Sequence, residues 1–257
     1  MILLSSFIFG LIFGSFLNVI IYRLKTPPGR GLSASLWKDR SHCPQCQIQL
    51  QWRDLFPLFS FIFLRGRCRY CHKKISWQYP IVELLSGLIW ILIPLDKGEL
   101  WGVLNFSYYI FIFSAFLVIA VYDFKWKIIP DRVVYPAIAI ALIYNIFLPD
   151  KGELWGVLLT ATAAFLFFFS IYFFSGGKAM GMGDAKLAIL IGLFLSPVVA
   201  LTAFTWAFVI GAIFGIILIA LGKKTLKSQI AFGPFMAIGA AIAFFFSDII
   251  INSFLIL

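Results

Sequence analysis

The chain is a succession of long apolar runs, such as Val103–Tyr122, Trp155–Phe174 and Val198–Leu221, broken by short loops that carry lysine and arginine. An apolar run of about 20 residues, coiled as a helix, spans the ~30 Å hydrocarbon layer of a membrane. Within that layer a backbone can satisfy its own N–H and C=O groups only as a helix or a closed barrel. With 62% hydrophobic residues, 12% charged residues and a mean hydropathy of +0.99, no water-soluble domain could bury the apolar surface. The sequence predicts an all-α polytopic membrane protein with about eight transmembrane helices. They are Ile2–Tyr22, Pro80–Leu95, Val103–Tyr122, Arg132–Leu148, Trp155–Phe174, Asp184–Leu195, Val198–Leu221 and Ile230–Leu257. The run Asp184–Leu195 is the shortest and is also compatible with a re-entrant hairpin. Met1–Tyr22 has no basic residue ahead of its apolar stretch, and Gly10, Gly14 and Ser15 suit helix contact better than a cleavage site. It reads as a retained first span rather than a removed signal.

A net charge of +10 would suit nucleic acid, but its distribution points elsewhere. Of the 21 Lys and Arg residues, eleven fall between Arg23 and Lys74. Three follow the third span (Lys125, Lys127, Arg132), two flank Asp184 (Lys178, Lys186), and Lys223, Lys224 and Lys227 form a further group. Alternate threading puts all of these on one side and leaves Lys97 and Lys151 for the other. That is the positive-inside pattern, which places the basic segments in the cytoplasm. The charge is topology, and no nucleic-acid partner is expected. The segment Asp96–Leu104 recurs letter for letter at Asp150–Leu158. Both copies fall on the outer side, as a duplicated loop or a pair of interfacial anchors with Trp101 and Trp155 at headgroup depth.

The polar insertion Lys25–Trp77 holds all four cysteines, as Cys43-Pro44-Gln45-Cys46 and Cys68-Arg69-Tyr70-Cys71 with 21 residues between the pairs. Each CxxC turn aims two sulfurs at one point, and two such turns match a tetrahedral Zn²⁺ held by four thiolates. The cytoplasm keeps thiols reduced, which favours a metal over disulfides. Four protein ligands leave no position for water, so the zinc is expected to be structural. A redox pair and incidental cysteines are the competing readings. His42 and His72 adjoin the knuckles outside the ligand spacing and read as bystanders.

Asp123 ends the third span, and Asp184 sits in Gly181-Met182-Gly183-Asp184 at the start of the sixth. A carboxylate at the rim of an apolar segment is costly and is a functional candidate by default. Two of them able to face one another suggest an acid/base pair sharing a proton. Each also has an ordinary reading: Asp123 as an interfacial carboxylate paired with Lys125 or Lys127, and Asp184 as a helix cap. Glu83 reads as paired with a basic or polar neighbour in the bundle and Asp131 as a helix start. Asp248 has no assigned role. Ser5, Ser6 and Ser15 have no histidine within the apolar runs to activate them. The alternative to an enzyme is a membrane subunit or small transporter using the aspartates as a proton relay.

Gly181-Met182-Gly183-Asp184-Ala185-Lys186-Leu187 matches the GxGD signature of membrane aspartic peptidases, and the whole chain resembles the bacterial type IV prepilin leader peptidase/N-methyltransferases. The resemblance runs in order through Gly14-Ser15-Phe16-Leu17-Asn18-Val19 with Tyr22-Arg23, the paired knuckles, Leu64-Arg65-Gly66-Arg67-Cys68 and Tyr79-Pro80-Ile81-Val82-Glu83-Leu84. It continues through Asp123 with Ile129-Pro130-Asp131 and ends at Phe232-Gly233-Pro234-Phe235. Phe56 beside Pro57 and Lys25 after the Tyr-Arg-Leu run depart from the pattern, away from the aspartates. The resemblance implies cleavage of the basic leader from type IV prepilins or type II secretion pseudopilins by Asp123 and Asp184. It further implies methylation of the new N-terminus with S-adenosylmethionine, to which Gly14, Asn18 and Arg23 are assigned. It divides the chain into a first helix (1–22), a zinc insertion associated with methyl transfer (23–79) and a peptidase domain (80–257). The expected location is the bacterial inner membrane, in contact with lipid, with the active site facing the cytoplasm.

Overall fold

The computed structural model describes residues 2–24, 40–93, 100–147, 154–225 and 228–247, with positions 249 and 252. Among these residues the chain forms nine α-helices and one 3-10 turn, and its only β pairing is two isolated bridges. The helices are α1 (Ile2–Leu24), α2 (Phe59–Phe63), α3 (Gln78–Leu92), α4 (Leu100–Trp126), α5 (Asp131–Phe147), α6 (Leu154–Ser175), α7 (Met182–Phe194), α8 (Pro197–Ala220) and α9 (Gly233–Phe245). Apart from the five-residue α2, each answers to one of the apolar runs.

α1, α4, α6 and α8 are each long and apolar enough to cross a membrane, whereas α3 and α9 are shorter apolar helices. The expectation of about eight full spans is refined accordingly. The 13 residues of α7 reach about 20 Å, short of the hydrocarbon thickness. α7 begins at Met182 rather than Asp184, because Gly181 takes the extended N-cap conformation. α9 begins at Gly233, with Pro234 in its first turn where a missing N–H costs nothing, and it ends at Phe245. The Leu-Trp-Gly-Val-Leu halves of the duplicated segment open α4 and α6 at equivalent leucines. Residues 96–99 and 150–153, with Lys97 and Lys151, lie outside the described residues, as do Lys25, Lys227 and Asp248.

The chain divides into two compact units, Met1–Val118 and Ile119–Leu257. In the first, α1 packs along α3. A Cβ on Gly14 would stand 2.7 Å from the Cα of Glu83, so the backbones touch where a side chain would separate them. Close approach at small residues is the usual means of helix association in lipid. Asn18, buried at the same seam, donates to the Tyr79 carbonyl at 3.1 Å and accepts from Gln78 Nε2 at 3.1 Å.

In the second unit α7 packs against α5, α6 and α9, and α8 packs on α9. Eight residues of α7 are buried, and they lie all round its circumference, as expected of a helix enclosed by others. Asn145 of α5 donates to the Leu193 carbonyl at 2.8 Å, satisfying an orphan group at the end of α7. At Gly192 the α6 backbone comes so near that a Cβ would stand 2.6 Å from the Cα of Ala161. Gly192→Leu should therefore separate α6 from α7 and cost at least about 1–3 kcal/mol. The check is a lower thermal midpoint in detergent; an unchanged midpoint would mean that this contact does not hold the unit together.

Candidate active site

Asp123 lies in the last turn of α4, where the helix carbonyls point and a negative charge is disfavoured. The compensation comes from 110 residues further along: the backbone N–H of Gly233, at the start of α9, donates to Asp123 Oδ2 at 2.9 Å. The carboxyl thus sits at the positive end of a second helix. Asp184 is the third residue of α7 rather than its N-cap, and it accepts the N–H of Gly181 at 3.0 Å. This is half of a capping box, since glycine has no side chain to return the bond. Each aspartate is therefore braced by one backbone N–H at a helix N-terminus.

Both are buried, Asp123 to 5% and Asp184 to 8% exposure, and the charge of Asp123 is felt at Asp184. The salt bridges among the described residues lie elsewhere, at Arg69–Asp54 and Lys186–Asp131. Among the described residues no ion pair joins Asp123 to Lys125 or Lys127, or Asp184 to Lys186. Surrounding packing holds the pair in place. A Cβ on Gly183 would stand 2.9 Å from the Cβ of Ile129, so the Ile-Pro-Asp turn rests directly on the GxGD turn. Lys186 bonds Asp131 at 2.7 Å and lies over the Tyr135 ring, fastening α7 to the start of α5. Asp131 opens α5, as expected, and spends its carboxylate on this bridge.

Gly233 was visible in the sequence only as a motif without a role. A Cβ there would stand 2.8 Å from Asp123 Oδ2. Gly233→Ala should push the carboxyl aside while sparing the helix, and a displacement approaching 1 Å costs roughly 10²-fold in rate. The expected result is that loss in peptide cleavage with an unchanged thermal midpoint; wild-type turnover would remove Gly233 from the site.

In the first unit the four sulfurs of Cys43, Cys46, Cys68 and Cys71 lie within 4.8 Å of one another, with Cys43 and Cys71 at 4.0 Å. Tetrahedral zinc with Zn–S bonds near 2.3 Å puts sulfurs about 3.8 Å apart, so the donor set and its spacing fit the metal. The two knuckles are copies of one turn. Cys43 N–H donates to Ile48 O and Cys68 N–H to Lys73 O, both at 2.9 Å. Gln47 and His72, each just after the second cysteine, share a left-handed conformation with φ of 58° and 55°. Burial raises the Cys43 thiol, but hydrogen bonds from the Cys46 and Gln45 backbones outweigh it and bring it to about 7. Cys46 is pulled down by the Ile48 backbone but pushed up more by burial and by the sulfurs of Cys43 and Cys71, to about 11. One thiolate forms readily at Cys43 while Cys46 resists, as expected of thiols crowded around one point. His42 packs its ring on Tyr22 and stays outside the sulfur cluster, as does His72.

Gly14 and Asn18 are committed to the α1–α3 seam, and Arg23 stands in the last turn of α1. Glu83, buried and unpaired with any cation among the described residues, accepts the backbone N–H of Leu58 at 2.9 Å and so ties the insertion to α3.

Fold and site together define a multi-pass helical membrane protein with two buried aspartates at helix termini and a cluster of four cysteines able to hold a metal. Residues 110–216 match the family model described as the type IV leader peptidase family, and residues 8–96 match that of the bacterial peptidase A24 N-terminal domain. The prepilin leader peptidase/N-methyltransferase of Pectobacterium carotovorum subsp. carotovorum is 32% identical over 257 residues, covering 90% of this chain and 88% of that protein. The one from Dickeya chrysanthemi is 32% identical over 93% of this chain and 90% of that protein. The one from Bacillus subtilis (strain 168) is 31% identical over 97% and 96%. No solved structure matches the chain. The chain belongs to the type IV leader peptidase family. Asp123 and Asp184 fall inside the matched regions, whereas Gly233 lies beyond them.

Proposed function

We propose that this protein removes the basic leader from type IV prepilins or type II secretion pseudopilins and then methylates the new N-terminal residue. The observation that carries the cleavage step is the pair of buried carboxyls, each braced by one backbone N–H and neither joined by an ion pair to a cation among the described residues. Two such carboxyls sharing one proton can divide the work of an aspartic peptidase. The ionised carboxylate takes a proton from water as it attacks the scissile carbonyl. The protonated one donates to the carbonyl oxygen, and the leaving amine receives its proton from the pair as the intermediate collapses. Both groups sit in terminal turns of their helices, which suits a substrate reaching them from the water edge better than a proton relay through mid-membrane. The distribution of lysine and arginine supports a cytoplasmic site at the bacterial inner membrane.

In this reading residues 80–257 carry the peptidase and the insertion 23–79 serves methyl transfer. Cys43, Cys46, Cys68 and Cys71 hold a structural Zn²⁺ that folds the insertion. S-adenosylmethionine, the donor expected of an N-methyltransferase, supplies an activated methyl group when bound. Of the residues assigned to it, Gly14 and Asn18 contribute by holding α1 against α3, and Arg23 offers a cation at the end of that helix pair.

The test uses purified protein, a peptide with a basic leader, a Gly-Phe junction and an apolar helix, and S-adenosylmethionine labelled in its methyl group. The expected products are the peptide cut at the junction and label on the new N-terminus. An uncut peptide sinks the peptidase reading; cutting without label leaves it standing and removes methyl transfer.

A further inference from the structure

Between its two knuckles the insertion carries Trp52-Arg53-Asp54-Leu55-Phe56-Pro57-Leu58-Phe59-Ser60-Phe61-Ile62-Phe63, a composition foreign to a water-exposed loop. The zinc site and the aspartate pair leave it unexplained. The segment folds as a 3-10 turn (Trp52–Asp54) followed by α2, and it leaves its apolar side chains outside. Trp52 is 68% exposed, Ile62 67% and Phe63 82%. Phe59 and Phe63 stand one helical turn apart on α2, and Phe56 meets Phe59 edge-on from the loop before it. With Trp52 they line a groove of ≈ 380 Å³ that has Arg53 and Arg69 at its margin. A contiguous apolar patch of this kind marks a surface that something covers.

The patch is also held at a defined depth. Leu58, whose N–H Glu83 accepts, immediately precedes α2, and Glu83 lies in the second turn of apolar helix α3. α2 therefore begins level with the first turns of a helix that enters the membrane, which is the headgroup layer. Around it Arg53, Arg65, Arg67 and Arg69 are exposed, and Arg53 lies over the Trp52 ring at 5.3 Å. Aromatic side chains for the acyl boundary with arginines for phosphate are what an interfacial helix on an anionic bilayer uses.

We propose that residues 52–63 form an interfacial anchor that lays the zinc insertion against the surface of an anionic phospholipid bilayer. Phe59, Ile62 and Phe63 dip into the acyl boundary, and Arg53 and Arg65 meet lipid phosphates. The covering partner is lipid rather than the leader of a substrate, because a basic leader would be repelled by the same arginines. The proposal rests on the membrane reading of α1 and α3 and does not depend on the peptidase assignment.

The test places the full chain, zinc-loaded, in nanodiscs with an environment-sensitive fluorophore on Phe63→Cys or, as a control on the knuckle, on Gln49→Cys. A zinc content equal to that of the parent establishes that each variant is folded. In discs containing phosphatidylglycerol, spin labels on the lipid tails should quench the probe at 63 several-fold more than the probe at 49. The excess should shrink in phosphatidylcholine discs and in the Arg53→Glu/Arg65→Glu background. A probe at 63 as open to an aqueous quencher as the one at 49 would overturn the anchor. Protection appearing only after a prepilin-type peptide is added would overturn it in favour of a substrate surface.

Discussion

Asp123→Asn and Asp184→Asn should each lower cleavage of a prepilin-type peptide by about 10⁴-fold, the upper range for a positioned acid/base group. Asparagine keeps the shape of aspartate and can still accept a hydrogen bond. The bonds from Gly233 to position 123 and from Gly181 to position 184 would survive, and with them the starts of α9 and α7. What disappears is the exchangeable proton and the charge. Groups that act as a unit are not additive, so the double variant should be no slower than the worse single one. Initial rates of the three variants, with thermal midpoints beside them, decide the matter. Multiplying losses would mean two independent roles, and retained activity in either single variant would end the paired mechanism.

Removal of the metal should have an effect of comparable size in the other unit. A structural zinc site contributes roughly 10–16 kcal/mol of binding free energy, and a small insertion has little core to replace it. Cys43 and Cys68, the two buried cysteines, are the ones to change. Cys43→Ser or Cys68→Ser should abolish zinc retention, open residues 40–77 to limited proteolysis and end methyl transfer. Both aspartates belong to the other compact unit, so cleavage should persist. Zinc per chain, the protease pattern and the two activities measured together check this. Loss of cleavage along with zinc would mean that the peptidase needs the insertion. Acid should act in the same direction. Protons compete with zinc for the four thiolates, so the metal is held at neutral pH and released as the pH falls well below it.

What the sequence determined by itself are the properties that are local or compositional. Apolar length and uneven lysine and arginine are enough for membrane residence and the order of helices, and a CxxC turn is closed by its own neighbours, so the four cysteines that cluster could be named from spacing. Asp123 and Asp184 stood out because ionisable groups are expensive beside apolar runs, wherever the rest of the chain goes. The tertiary structure decided what joins distant residues. The Gly233 N–H that braces Asp123, the Asn145 bond that closes α7, and the seam that claims Gly14 and Asn18 all link separate helices. The physical reason is that these helices are apolar around their whole circumference. A helix in lipid has no wet face to mark its orientation, so hydropathy does not say which side meets a neighbour. That choice rests on small residues and single polar groups, whose partners become visible only once the helices are packed.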